Sequence, residues 1–301
     1  MDLIHLPAPF QLMFRAVAPI MKLFPHQILR TRVRKTTGYS INWKNPSNLL
    51  EYLVGESFKA AEDPERLKFY GTLADKIAVR DYVAERVGDQ ALTKIYGVWT
   101  KPDEIDFDSL PVPCVIKTNN GCATNIIIRR REELKPDEIR RKLRRWLYFP
   151  YGAITGQPHY STIKPGILCE EFLKQEAGGD TLPYDYKFFC FEGEPRFILF
   201  YSGRIPNHHI TYNLVYDTDW NPMKGVVNHP APEEAARPET LEKMVDMARK
   251  LSKGLPFARV DFYSIGSRPV FGEITLTPDI QTNFTPEFIE EAYRRYVLRQ
   301  N

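Results

Sequence analysis

Near residue 110 the sequence changes period. Before it, apolar residues recur at helical spacing; after it, short alternating runs are separated by turn residues. Residues 1 to about 70 read as mostly helical. A turn and cap at Asn45-Pro46-Ser47 precede a helix expected over 48–61. Residues 75–87 carry a stripe at Ile77, Val79, Tyr82, Val83 and Val87, ended by Gly88-Asp89. Beyond the change, 112–117 and 125–130 read as a hairpin around a small-residue loop, and 166–173 as a buried strand. Two more strands, 185–191 and 196–201, meet at Glu192-Gly193-Glu194; a last pair covers 258–263 and 269–275. Helices are expected over 136–148, 238–251 and 286–298. Strands joined by tight turns and interrupted by helices predict an α+β scaffold.

Composition narrows the function classes. The 301 residues are 43% hydrophobic and 26% charged, which excludes disordered, collagenous and coiled-coil chains. A net charge of +3 does not point to a nucleic-acid partner, and none is expected. The cysteines at 114, 122, 169 and 190 have no CxxC spacing, and three lie in apolar runs. That usage predicts free thiols and a cytoplasmic location. No run of 18 uncharged apolar residues occurs. Residues 9–35 mix apolar side chains with Arg15, Lys22, Arg30, Arg32, Arg34 and Lys35. They read as a docked helix with a solvated basic edge, or as a segment making peripheral contact with an anionic membrane.

Four segments carry chemistry. Strand alternation puts Arg259 and Asp261 on one face, and Glu273 and Thr275 on one face of the next strand. If the strands pair across 264–268, two carboxylates and an arginine converge. Hard oxygen ligands of this kind suit Mg²⁺ bridging phosphates, and the arginine can stabilise developing negative charge. A surface cross-strand ion pair is the plainer alternative. Lys117 leaves a strand into Thr118-Asn119-Asn120-Gly121-Cys122-Ala123, where an ammonium and loop N–H groups can hold phosphate; the P-loop pattern is absent. Cys169-Glu170-Glu171-Phe172-Leu173 offers backbone groups for a purine edge and apolar sides for its ring. Asp185 and Lys187 share a strand face, placing a ribose acceptor beside a phosphate cation. Each of these also reads as a strand with solvated charges.

In this order the segments resemble the ATP-grasp superfamily, most closely its TupA-like branch associated with polysaccharide biosynthesis. The resemblance runs from about Asp75 to the C-terminus, and Ile41-Asn42-Trp43-Lys44-Asn45-Pro46 resembles that branch's leader. Its most specific pieces are Asp185-Tyr186-Lys187-Phe188-Phe189-Cys190-Phe191 and Arg259-Val260-Asp261 through Gly272-Glu273-Ile274-Thr275. It implies an ATP-grasp fold, two α+β subdomains gripping the nucleotide. A helical segment over 1–72 would precede the ATP-grasp domain over 73–301, with a lid subdomain at about 111–172 and a metal and catalytic subdomain at about 173–301.

The resemblance also implies roles, with ATP and Mg²⁺ as cofactors. Lys76 and Lys117 would contact phosphates, and the loop carrying Asn120 and Gly121 would close over them. Glu170, Glu171, Phe172 and Leu173 would form the adenine hinge. Asp185 would take the ribose and Lys187 would face the phosphates. Asp261 and Glu273 would hold Mg²⁺, with Thr275 where relatives often have asparagine. Arg259 would support the acyl-phosphate or tetrahedral intermediate. The activity implied is a carboxylate–amine ligase forming an amide bond, with a small-molecule or glycan carboxylate and an amine as substrates. Asp261→Asn or Glu273→Gln is then expected to abolish turnover with the fold intact.

Other residues are weaker acceptor candidates. Arg204 can clamp a carboxylate; His208-His209 offers two metal donors without a third; Gln281 and Asn283 follow the metal strand. The basic run Arg140-Arg141-Lys142-Leu143-Arg144-Arg145 reads as a solvated helix face or a site for an anionic glycan. Two other activities stay open: an ATP-grasp kinase acting on a sugar hydroxyl, and a glycosyltransferase using the DxD at Asp217-Thr218-Asp219.

Overall fold

A computed structural model describes residues 8–38, 40–174, 182–202, 212–231 and 233–300. The chain divides into two compact units. The first comprises Met1–Lys35, Ala60–Arg80 and Thr93–Phe172; the second comprises Thr36–Lys59, Asp81–Leu92 and Leu173–Asn301. Helices come first: α1 (Ala8–Met21), α2 (Pro25–Thr37), α3 (Leu49–Glu62), α4 (Pro64–Ala74) and α5 (Val79–Val87). Among the described residues no helix is long and apolar enough to cross a membrane.

The first unit is built on an antiparallel sheet of β1 (Ile95–Trp99), β2 (Cys114–Thr118), β3 (Asn125–Ile128) and β4 (Ile167–Glu171), in the order β1-β4-β2-β3. Alternation sends Cys114 and Ile116 of β2, with Ile167 and Cys169 of β4, into one core. Helix α6 (Pro136–Leu147), followed by the short α7 (Tyr151–Thr155), covers that face through Ile139, Leu143, Trp146 and Leu147, a spacing that lines one side of a helix. Arg141 and Arg144 are exposed on the outer side, while Arg145 is half-buried and Arg140 lies over the Phe107 ring at 4.9 Å. Phe14 and Met21 of α1 pack on the same core, with Phe14 meeting Phe149 edge-on at 6.2 Å. The opposite face of the sheet carries Val115 and Lys117 beside Leu168 and Glu170.

The second unit holds a five-stranded antiparallel sheet in the order β7-β6-β5-β8-β9. Its strands are β5 (Asp185–Phe191), β6 (Glu194–Ser202), β7 (Tyr212–Asp217), β8 (Phe257–Ile265) and β9 (Arg268–Thr275). The β5–β6 turn is Glu192-Gly193, both with positive φ (50° and 80°), the two-residue geometry that matches strand twist. Helix α8 (Leu241–Ser252) packs against β5, β6 and β8, and the Cys190 thiol of β5 meets Ser252. Tyr186, Phe188 and Cys190 therefore face α8. Asp185, Lys187 and Phe189 face the other way, where Phe189 stacks on Phe197 at 4.6 Å. Phe197 also meets Phe288 of α9 (Pro286–Ala292). This second face is aromatic at one end of β5 and charged at the other.

Local chemistry shifts several boundaries. The helix expected from 75 is α-helical from Val79: Asp75 caps it, its carboxylate accepting from the N–H groups of Ile77 and Ala78 (2.8 and 3.3 Å) and its carbonyl from the Val79 N–H, while the Arg80 N–H turns to the Ile77 carbonyl and tightens the first turn. Asn48 caps α3 by accepting from the Glu51 N–H at 3.0 Å. The helix expected from Pro238 begins at Leu241, after a turn closed by Leu241 N–H on the Pro238 carbonyl. The closing helix is α-helical only to Ala292 and continues as a π-helical turn over Tyr293–Val297.

Candidate functional site

In the first unit, residue types at the β2–β4 pair set the chemistry. Val115 pairs with Glu170 and Lys117 with Leu168, so Lys117 and Glu170 are diagonal neighbours on one face. Their side chains form an ion pair. The second Glu170 oxygen accepts from the Thr93 hydroxyl at 2.7 Å, and Arg80 donates to that same hydroxyl at 3.2 Å. Burial by itself raises a carboxyl pKa. Here the Lys117 ammonium, hydrogen bonds from Lys117 and Thr93, and the Arg80 charge outweigh it and hold Glu170 below the usual glutamate value. The expected hinge thus has Glu170 turned to Lys117. Glu171 is tied to Lys94 instead, by paired backbone and side-chain bonds of 2.9 Å. Phe172 lies under the Arg129 guanidinium at 5.5 Å, and Leu173 follows outside the strand.

The loop after Lys117 is anchored by its own side chains. Asn119 donates to Asp75 (2.8 Å) and to the Lys164 carbonyl (3.0 Å), and accepts from the Gly166 N–H (2.7 Å). Asn120 donates to the Leu147 carbonyl at 2.9 Å, and its own side-chain oxygen is buried with no partner among the described residues. Lys76 donates to the Gly121 carbonyl at 2.6 Å. Lys76, Asn120 and Gly121 are therefore brought together in the first unit.

The second unit gathers the other charged residues. Register places Lys187 opposite Asp261, Asp261 opposite Glu273 and Arg259 opposite Thr275. Arg259 donates through Nε and Nη2 to the two Asp261 oxygens, both at 2.7 Å. Its Nη2 also reaches Glu273 (2.7 Å) and the Thr275 hydroxyl (2.9 Å). Lys187 donates to Asp261 at 2.6 Å and lies 3.9 Å from Asp185. Burial would lower the Arg259 pKa, but the charges of Asp261 and Glu273 outweigh it and push it above its ordinary value. Asp185, Lys187 and Asp261 are all buried, so each charge needs this pairing to persist.

The donor set fits a magnesium ion that shares its shell with phosphates. Two carboxylates on paired positions suffice, because Mg²⁺ takes few protein oxygens and completes its octahedron from substrate and water. Arg259 and Lys187 now neutralise those oxygens, so a dication competes with them. Among the described residues no group of three acidic, histidine or cysteine side chains forms a metal cluster by itself.

Tyr201 was not signalled by any sequence pattern. Lys187 lies over its ring at 5.3 Å, and its hydroxyl donates to Asn283 at 2.7 Å. Asn283 is thus brought beside the charged cluster, while the Gln281 side-chain oxygen is buried with no partner among the described residues. Thr93 and Arg80, also unsignalled, belong to the Lys117 group. Arg204, His208 and His209 lie outside the described residues. In the DxD, Asp217 closes its own turn by accepting from the N–H groups of Asp219 and Asn221 (2.9 and 2.8 Å).

A family model described as TupA-like ATP-grasp matches residues 58–295. The chain belongs to the TupA-like ATP-grasp family. No curated protein matches the sequence significantly. Among solved structures, the family member is similar to D-alanine–D-alanine ligase from Bacillus anthracis: 17% identity, TM-score 0.45, covering 75% of this chain and 64% of that one. It is also similar to N5-carboxyaminoimidazole ribonucleotide synthetase from Thermus thermophilus, with 12% identity, TM-score 0.41 and coverage of 81% and 54%. A third is the ATP-grasp ligase PsnB complexed with a variant precursor, Mg and ADP, with 11% identity, TM-score 0.41 and coverage of 71% and 53%. The chain thus spans between about half and two thirds of the length of these structures.

Proposed function

We propose that this family member is an ATP-dependent carboxylate–amine ligase acting in the cytoplasm in surface-polysaccharide biosynthesis. It would join an amino acid or other amine to a uronic acid or other carboxylate. The ATP-grasp domain is taken as 73–301, with subdomains at about 111–172 and 173–301. The observation that carries this reading is the paired Asp261–Glu273 carboxylate set with Arg259 and Lys187 packed against it, in a chain of this family.

The reaction runs in two steps. A carboxylate oxygen of the acid attacks the γ-phosphorus of ATP, and the bridging oxygen leaves with ADP. The amine nitrogen then attacks the acyl carbon, the carbon–oxygen bond to phosphate breaks, and inorganic phosphate leaves as the nitrogen gives up a proton. In the first unit, Lys76 and Lys117 supply positive charge for the phosphates, and the strand end at Glu170–Leu173 supplies backbone groups for the adenine edge. In the second unit, Asp185 accepts from a ribose hydroxyl and Lys187 faces phosphate. Arg259 offsets negative charge as it develops on the acyl phosphate or tetrahedral oxygen. Asp261 and Glu273, with Thr275, are the residues that would hold Mg²⁺, which when bound neutralises phosphate charge.

The test is ADP release from MgATP across a panel of uronic acids and amines, with hydroxylamine added to trap an acyl phosphate as a hydroxamate. Trapping that requires the acid, with ADP release accelerated by the amine, supports the ligase. Glu273→Gln should lower turnover at least ~10²-fold. Phosphate transfer to a sugar hydroxyl without an acid would replace the ligase with a kinase.

A further inference from the structure

Helix α1 is amphipathic in the wrong sense for a solvated surface. Its polar side chains, Gln11 and Arg15, lie on the docked side with Phe14 and Ala18; Gln11 is buried, and Arg15 donates to the carbonyls of Arg144 and Arg145 (3.3 and 3.2 Å). At about 100° per residue, the other half of the helix is formed by Phe10, Leu12, Met13, Ala16, Val17, Pro19 and Ile20. All of them are exposed, and none is polar. Leu23 and Phe24 continue the exposed apolar surface, at 73% and 48% exposure. Among the described residues, seven of the eleven exposed large apolar side chains fall within residues 10–24. The apolar stripe of a helix normally faces a packing partner, and an exposed apolar patch this dense marks a contact surface.

The charge of the segment selects the occupant. Residues 8–38 contain Arg15, Lys22, Arg30, Arg32, Arg34 and Lys35, and no aspartate or glutamate. Lys22, Arg30, Arg34 and Lys35 are exposed. At 14 residues, α1 is too short to span a bilayer. A short helix with an apolar outer face and basic flanks has the composition of one lying in a membrane interface. We propose that the outward face of α1, with Leu23, Phe24 and the exposed basic residues beside them, docks the protein on an anionic phospholipid surface. The apolar side chains enter the acyl boundary, and the basic residues meet the headgroup phosphates.

Co-sedimentation of the full chain with vesicles tests this. Vesicles of equal phosphatidylglycerol and phosphatidylcholine should carry the protein down, and phosphatidylcholine alone should carry far less. Raising salt should release part of the bound fraction. The triple variant Leu12→Ser, Val17→Ser, Ile20→Ser should lower partitioning at least roughly tenfold with an unchanged melting temperature, because these exposed side chains do not form the core. Arg30→Gln with Arg34→Gln should lower it about tenfold on the anionic vesicles only. Absence of sedimentation, equal binding to both compositions, or wild-type partitioning by the triple variant would overturn the proposal. A concentration-dependent dimer that the triple variant loses, without vesicle binding, would overturn it in favour of a second copy of this chain.

Discussion

Glu170 and Asp261 show how single charges are held inside each unit. Glu170 is kept ionised by Lys117, Thr93 and Arg80. Glu170→Gln leaves the Lys117 ammonium beside a neutral group, and should cost about 3 kcal/mol in equilibrium denaturation. Because the folded pKa is depressed, the stabilisation is present above the unfolded glutamate value and is lost as pH falls through the folded value. The Gln variant should therefore lose part of the wild-type acid sensitivity; an unchanged profile would rule out the pair as its source. The second case corrects an expectation. Asp261 is buried at 3% exposure and holds both Arg259 and Lys187, so Asp261→Asn leaves two buried cations without their shared carboxylate and is expected to lower stability as well as turnover. Glu273 has a side chain 42% exposed, so Glu273→Gln tests the proposed metal role apart from folding. A melting temperature within a few degrees of wild type, with turnover lost, is the expected result. The residue types were legible in the sequence. The Lys117–Glu170 pair was not, because it depends on which residues of β2 and β4 face each other.

The β8–β9 hairpin shows what an element adds. Simple alternation puts Phe271 on the face of Glu273 and Thr275. The structure instead pairs Asp261 with Glu273 and Phe262 with Phe271, leaving Gly272 as an unpaired bulge. The bulge turns Phe271 to the α8 face, where it meets Phe262 edge-on at 6.4 Å, while Glu273 stays opposite Asp261. A Cβ at Gly272 would lie 3.1 Å from the Asp261 carbonyl oxygen and 3.3 Å from the Tyr263 ring. Gly272→Val should therefore disturb the strand that carries Asp261. The expected cost is about 1–3 kcal/mol, with turnover falling more than stability alone explains; a stable variant with full turnover would show that the bulge does not set the carboxylate geometry. The hairpin and its face were legible from spacing and turn residues. The bulge was not, since one glycine in a strand does not say which partner it abandons.

At the scale of the molecule, acid sensitivity has a second source. His159 is fully buried, and desolvation pushes its pKa down to about 4. The unfolded chain takes up that proton near pH 6.5, so the folded state loses stability as pH falls from about 6.5 towards 4. The total approaches about 3 kcal/mol. Urea midpoints between pH 7 and 4 should show this slope, and His159→Phe should flatten it; an equal slope in the variant would assign it elsewhere. The sequence by itself determined the α+β class, most of the strands, the turn at Glu192-Gly193 and the family, because periodicity, turn chemistry and motif residues are local properties of the chain. Tertiary structure alone decided the partners: Lys117 with Glu170, Arg259 with both carboxylates, Tyr201 beside Lys187, and an α1 whose apolar half faces outward. Strand register and helix docking bring together side chains far apart in sequence, and no local pattern encodes which of them meet.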